Sequence, residues 1–188
     1  MESLSKGLSI GKLLAEYPAL DKETLSALLL EAAHALGPAE VAPRKAPAKA
    51  VKAGRAVRIY TDGASRGNPG QAGAGVVIED ENGYILRRVA RYLGRATNNQ
   101  AEYEALLTGL SEAAELGASE VSVFADSELL IKQMKGEYRV KNAELKEKFD
   151  TARRALEAFG KVSFRHIPRE KNAEADALAN EAIDKRFK

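Results

Sequence analysis

Four carboxylates in this 188-residue chain stand where a fold could bring them together: Asp62, Glu102, Asp126 and Asp176. Carboxylate oxygens are hard ligands that suit Mg²⁺ or Mn²⁺ and not zinc, and bound dications neutralise the repulsion between crowded acids. Two such metals about 4 Å apart stabilise the attacking and leaving oxygens of a phosphoryl displacement. The four residues together therefore predict a two-metal site for phosphoryl transfer.

Glu102 is the most informative of the four because it lies on the apolar face of a predicted helix. It shares that face with Leu106 and Leu110, at the spacing i, i+4 and i+8. A carboxylate on such a face is costly unless it is paired or bound to a metal. The alternative is a half-buried glutamate that meets an arginine.

Each of the other three carboxylates has a purely structural alternative when it is taken alone. Asp62 ends the first predicted strand before a glycine-rich stretch, where it could be a turn residue. Asp126 lies at a strand-to-helix junction, where ligands commonly bind in α/β sheets, but either it or Ser127 could cap the helix. Asp176 lies in the first turn of the last helix, where a carboxylate suits the helix dipole. The prediction therefore depends on the four residues meeting.

The elements that would position these residues alternate between strands and helices. Alternation of apolar and polar residues, together with turn signals such as Asn82-Gly83, predicts strands over 57–62, 73–79 and 84–92. Periodicity along the rest of the chain predicts helices over 99–116, 127–135, 142–159 and 173–186, and strands over 121–125 and 161–167. The order β-β-β-α-β-α-α-β-α predicts an α/β fold, a five-stranded mixed sheet with helices packed on it.

The first 55 residues predict two further segments ahead of a main domain at 56–188. Residues 1–37 read as a small helical segment with a leucine stripe within 8–36, which we expect to contact another protein or a second copy because so small a pair buries little surface alone. Residues 38–55 have the Ala/Pro/Lys composition of a linker, with five basic side chains and one acidic side chain. This linker is either a spacer or a tether that contacts phosphates.

The composition excludes several classes of protein. The chain has no cysteine, which rules out a disulfide framework and a thiolate metal site. No apolar run approaches the ~20 residues of a membrane span, and the first eleven residues lack the apolar core of a signal peptide. We therefore expect a soluble cytoplasmic protein that does not engage a membrane. The net charge of only +2 does not by itself indicate a partner.

Five fragments in a fixed order resemble the type 1 ribonuclease H family over residues 57–183. They are Tyr60-Thr61-Asp62-Gly63-Ala64, Gly67-Asn68-Pro69-Gly70, Thr97-Asn98-Asn99-Gln100-Ala101-Glu102, Asp126-Ser127, and His166 with Asn172-Ala173-Glu174-Ala175-Asp176. The resemblance implies a ribonuclease H-like fold. It also implies hydrolysis of the RNA strand of RNA–DNA hybrids, which leaves 5′-phosphate and 3′-hydroxyl ends.

The resemblance further implies two Mg²⁺ ions per site, with Mn²⁺ as a substitute. Asp62 would bridge both metals, Asp126 and Glu102 would ligate the metal near the scissile phosphate, and Asp176 would ligate the other. The glutamate would also meet a ribose 2′-hydroxyl, the group by which a protein distinguishes RNA from DNA. Contacts to the hybrid would come from Gly63, Asn68, Thr97, Asn98, Asn99 and Ser127, with Thr97 and Asn99 holding a DNA-strand phosphate.

The chain departs from the family pattern in two places. Better-known bacterial members carry a basic protrusion with tryptophans after the second helix, whereas this chain has no tryptophan and only residues 135–141 connect the helices. The family's histidine lies in a flexible loop, whereas His166 falls in a predicted strand, so it either aids proton transfer or product release or is structural. The missing protrusion leaves open a related nuclease that also cuts double-stranded RNA. A non-catalytic nucleic-acid-binding domain of the same fold is the other alternative, and four clustered acids argue against it.

Overall fold

The computed structural model describes residues 55–185, which form a five-stranded mixed sheet with helices on both faces. The strands are β1 (Arg55–Gly67), β2 (Gly70–Asp80), β3 (Ile85–Ala96), β4 (Ala118–Ala125) and β5 (Lys161–His166). The helices are α1 (Asn98–Glu115), α2 (Glu128–Met134), α3 (Ala143–Leu156) and α4 (Ala173–Asp184), with a 3-10 turn over Arg169–Lys171 before α4. The predicted fold class and the order of elements are confirmed.

The sheet order is β3-β2-β1-β4-β5, so β1 lies at its centre. β1 and β3 each pair antiparallel with β2, whereas β4 pairs parallel with both β1 and β5. Tyr60 of β1 is in register with Phe124 of β4. Two residues beyond this pair come Asp62, within β1, and Asp126, just after β4 ends. The parallel pairing therefore brings these two carboxylates to one edge of the sheet.

The helices α1 and α4 pack on opposite faces of the sheet. A Cβ added at Gly109 of α1 would meet the side chain of Val76, whereas a Cβ at Gly75 would lie 1.9 Å from the backbone oxygen of Ala175 in α4. Because successive strand residues point to opposite faces, neighbours on β2 contact different helices. The core between the sheet and α1 is apolar, and its fully buried members include Ile59, Val76, Ile78, Leu106, Leu110 and Val123.

The prediction that Asp62 ends the first strand is wrong. β1 continues to Gly67, and Asp62 pairs with Gly75 of β2 in an unbroken register that ends at Gly67 and Gly70. Ladder hydrogen bonds use only the backbone, so a glycine-rich stretch can pair as strand although glycine weakens it. Asp62 therefore lies within the β1–β2 ladder, beyond Tyr60, the last residue of β1 that pairs with β4.

The predicted N-terminal helices and nearly all of the predicted linker lie outside the described residues. The domain boundaries at residues 37 and 55 stay predictions. Within residues 55–185, no helix is long and apolar enough to cross a membrane.

Candidate metal centre

Three of the four predicted carboxylates converge. One carboxylate oxygen from each of Asp62, Glu102 and Asp126 lies within 4.8 Å of the other two. Asp62 and Glu102 are buried, with 6% and 5% of their surface exposed, and Asp126 is half-buried. Asp176 lines the same pocket, so the structure brings all four residues to one place.

Glu102 reaches the cluster because α1 lies directly against β1. A Cβ added at Gly63 would lie 2.2 Å from the backbone nitrogen of Glu102, a distance no side chain tolerates. Glycine is therefore required at position 63 by the close approach of the helix. The Gly63 N–H also donates to the Glu102 carboxylate.

Asp126 stands free of the capping role that was its structural alternative. The N-cap of α2 is Ser127, whose hydroxyl accepts from the backbone N–H of Leu130 at 3.4 Å. Asp126 instead accepts from Nδ2 of Asn172 at 2.9 Å. The junction between β4 and α2 thus leaves the aspartate available to the site.

Asp176 enters from α4, where two side chains hold its carboxylate. Arg169 donates to Oδ1 and forms an ion pair with it, and Nδ2 of Asn180 lies 3.4 Å from Oδ2. The position in the first helical turn also matches the dipole-based alternative. Among the four carboxylates, Asp176 has the nearest cation.

The crowding of acids shifts two of their pKa values. Burial raises the pKa of Asp62 to about 7, and the charges of Asp126 and Asp176 add to this shift while Arg169 opposes it. Burial also raises the pKa of Glu102 well above its usual range, with further contributions from Asp62 and Asp126. Such shifts are what a buried cluster of like charges produces when no cation is bound.

The donor set fits hard divalent cations. Oε2 of Glu102 is buried and has no hydrogen-bond partner within residues 55–185. A buried carboxylate oxygen without a partner is costly, and a metal ion would satisfy it while neutralising its neighbours. All the ligand atoms are oxygens, which suits Mg²⁺ or Mn²⁺.

The predicted substrate-binding residues divide into those that line the pocket and those that surround it. Gly63, Asn98 and Ser127 line the pocket with the carboxylates. Asn68 lies in the turn between β1 and β2, and its Oδ1 accepts from the Asn98 backbone N–H at 3.2 Å. This bond ties the turn to the start of α1.

Thr97 and Asn99 lie at the beginning of α1. Thr97 is the N-cap of the helix and forms a capping box with Gln100, so it has a structural role in addition to the predicted contact with a phosphate. Asn99 is exposed. Neither residue lines the carboxylate pocket, and their contacts to a hybrid stay predictions.

His166 lies at the end of β5, as the strand pattern of its neighbours predicted. Its Nε2 is 3.2 Å from the backbone oxygen of Asp126, and the residue is exposed. It is not among the residues that line the carboxylate pocket. A catalytic role for His166 stays a prediction.

Three residues that contact the carboxylates were not among the predicted site residues. Arg169, in the turn before α4, and Asn180 contact Asp176, and Asn172 contacts Asp126. Asn172 immediately precedes a predicted helix and therefore has the pattern of an N-cap. Nothing in the local sequence distinguishes Arg169 from the other exposed cations of this basic stretch.

Comparisons with known proteins identify the family of this chain. The family model described as "Reverse transcriptase-like" matches residues 60–182. Ribonuclease HI of Halobacterium salinarum is 45% identical over 131 residues, which cover 70% of this chain and 66% of that protein. The chain belongs to the type 1 ribonuclease H family.

Solved structures of ribonucleases H share its fold. The crystal structure of the Halobacterium salinarum RNase H1 has a TM-score of 0.68 and is covered over 98% of its length, which is 69% of this chain. LC11-RNase H1, isolated from compost, is 50% identical and has a TM-score of 0.68. The match covers 71% of this chain and 99% of that protein. A bifunctional protein of Mycobacterium tuberculosis is 42% identical over 129 residues, 68% of this chain. This ribonuclease H chain spans 66% of the Halobacterium protein and 35% of the mycobacterial one.

Proposed function

We propose that this chain is a metal-dependent endoribonuclease that hydrolyses the RNA strand of RNA–DNA hybrids and leaves 5′-phosphate and 3′-hydroxyl ends. The observation that carries the proposal is Glu102, a buried carboxylate with an unpartnered oxygen next to Asp62 and Asp126. LC11-RNase H1, which is 50% identical, has been crystallised with an RNA/DNA hybrid. That complex supports a hybrid as the substrate.

Two Mg²⁺ ions, or Mn²⁺ in their place, would be held by the four carboxylates. Asp62 would be shared, Glu102 and Asp126 would serve one ion, and Asp176 would serve the other. When bound, the ions act as Lewis acids that stabilise the charge developing on the oxygens of a phosphoryl displacement.

The protein itself supplies orientation and discrimination. The Gly63 N–H donates to the Glu102 carboxylate, and a 2′-hydroxyl that meets this carboxylate would separate RNA from DNA. A hydrogen bond joins the Asn98 backbone N–H to Asn68 Oδ1. The polar side chains of these two residues would contact a nucleic-acid backbone. The Arg169 guanidinium beside Asp176 offers a charged donor to a phosphate oxygen, which forms stronger hydrogen bonds than a neutral donor.

The test is cleavage of three matched end-labelled duplexes, RNA–DNA, RNA–RNA and DNA–DNA, with Mg²⁺, Mn²⁺ or a chelator. We expect cleavage of the RNA strand of the hybrid with either metal, none with the chelator, and 5′-phosphate at the new ends. Binding of the hybrid without cleavage would support a non-catalytic domain instead. Equal cleavage of the RNA duplex would support a broader ribonuclease.

A cytoplasmic location and protein contact through residues 8–36 also stay predictions.

A further inference from the structure

Asn172 joins three of the elements that carry the carboxylates. Its Nδ2 donates to the backbone oxygen of Thr61 at 3.0 Å and to Oδ1 of Asp126 at 2.9 Å. Its own backbone oxygen accepts from the N–H of Asp176 at 3.0 Å. One residue thus contacts β1 next to Asp62, the end of β4, and the first turn of α4.

The side chain of Asn172 does not do what its position suggests. An asparagine that precedes a helix usually caps it by accepting a backbone N–H. Asn172 makes no such side-chain bond to α4, and its side chain turns into the protein, where only 1% of the residue is exposed. Its Oδ1 is buried and has no hydrogen-bond partner within residues 55–185.

The unpartnered carbonyl indicates that the donors are what this position requires. Leaving a buried acceptor unsatisfied costs about 1–3 kcal/mol, which capping the helix would have avoided. Both neighbours of Nδ2 are acceptors, a backbone carbonyl and a carboxylate, so only the amide nitrogen can occupy this place. Neither an apolar side chain nor a carboxylate of the same size could make the two bonds.

We propose that Asn172 is a positioning residue that fixes the carboxylate of Asp126 relative to Asp62 for metal binding. A carboxylate with one oxygen held by a donor keeps one orientation, so its remaining lone pairs meet an ion without a search through rotamers. The inference rests on the proposed metal-dependent function. Asn172 itself would not be a metal ligand.

The experiment measures Mn²⁺ binding to the full chain by electron paramagnetic resonance, without substrate. Asn172→Ala removes the donors and the volume, whereas Asn172→Leu removes the donors and keeps most of the volume. We expect both variants to bind Mn²⁺ about 10- to 100-fold more weakly, the usual loss when an outer-shell partner of a ligand is removed. Asn142→Ala is the matched control. Asn142 caps α3 by accepting from Leu145 at 3.0 Å, so this variant loses stability and keeps its metal affinity.

A second background separates positioning from general loosening. In an Asp126→Ala chain the ligand that Asn172 orients is gone, so Asn172→Ala should cause no further loss of Mn²⁺ affinity. Unchanged affinity in the folded Asn172 variants, or an equal loss in both backgrounds, overturns the inference. If neither variant folds, Asn172→Ser is judged by the same criteria. Wild-type protein that binds Mn²⁺ and cuts no hybrid would refute the proposed function and leave this inference standing.

Discussion

Replacing Asp62 by asparagine should make the metal-free protein more stable at alkaline pH. Asp62 is 6% exposed and lies beside Asp126 and Asp176, and its pKa is raised from 3.8 to about 7. Above pH 7, in a chelator, the wild-type protein therefore folds with a buried negative charge among others. Asparagine has nearly the same shape, keeps a donor for the neighbouring carboxylate, and carries no charge.

The magnitude follows from the displaced pKa of Asp62. A displacement from 3.8 to about 7, at about 1.4 kcal/mol for each pH unit, corresponds to roughly 4 kcal/mol of unfolding free energy. Because the folded pKa lies above the unfolded one, the contribution of Asp62 is favourable below pH 3.8 and is lost as the pH rises through 7. About 2.5 kcal/mol of this loss falls between about pH 5 and pH 8.

The assay is urea unfolding of both proteins in a chelator at these two pH values. We expect Asp62→Asn to exceed the wild-type unfolding free energy by about 4 kcal/mol at pH 8, and the gap to shrink by about 2.5 kcal/mol at pH 5. Saturating Mg²⁺ should reverse the order, since an ion stabilises only the form that binds it. The variant should cut no hybrid under either condition.

A control of opposite sign is available at Asp80. Asp80 is half-buried, and its carboxylate accepts from the backbone N–H groups of Asn82 and Tyr84, which lower its pKa. Asp80→Asn should therefore not raise stability at pH 8. If Asp62→Asn behaves like Asp80→Asn, or if its gap to the wild type is the same at both pH values, Asp62 does not lie among crowded charges and the account of the site is wrong.

Three further changes test other parts of the protein. Gly63→Ala would place a Cβ 2.2 Å from the Glu102 backbone nitrogen. We therefore expect the unfolding free energy to fall by about 1–3 kcal/mol and the cleavage rate to fall by about 10²-fold. Wild-type stability and rate would show that α1 can shift to make room for the methyl group. His166→Ala should lower turnover by about 10²-fold with Mn²⁺ affinity unchanged, whereas an unchanged rate would make the residue structural. Deleting 1–55 should weaken hybrid binding and flatten its salt dependence while the chemical step persists, because the linker carries a net charge of about +4 and each phosphate contact adds about 0.9 to the log–log slope. Deleting only 1–37 should leave the hybrid affinity and its salt dependence unchanged. An equal loss of affinity from the two truncations would show that the helical segment, and not the linker, binds the hybrid.

The order and type of the elements could be predicted because they depend on local periodicity. Alternation along the strands and helical spacing in α1 are visible in short windows of sequence. The end of β1 was predicted wrongly because its last residues pair through backbone bonds to the glycine-rich start of β2, and no side-chain pattern reports such pairing. The glycines there permit close approach of the helices. This role could not be predicted from the sequence, because it depends on which elements pack against the strands.

Part of the site was predictable for the same reason, and part was not. Glu102 could be found because a carboxylate on an apolar helix face conflicts with its own neighbours in sequence. Asn172 could not, because its two partners lie 111 and 46 residues away along the chain. Its position immediately before a helix is typical of a cap, which its side chain does not provide.

The helix starts explain how structural and chemical roles are divided among neighbouring residues. Thr97 caps α1 and Ser127 caps α2, so neither Glu102 nor Asp126 is needed for capping. At α4 no side chain provides a cap, and Asn172 turns its amide toward the carboxylates instead. A helix start without a side-chain cap is less stable by about 1 kcal/mol. Among the described helices, α4 has this cost, and the asparagine before it contacts a carboxylate of the site. The local rule is therefore broken where the site requires a donor, which is the pattern expected when function competes with helix stability.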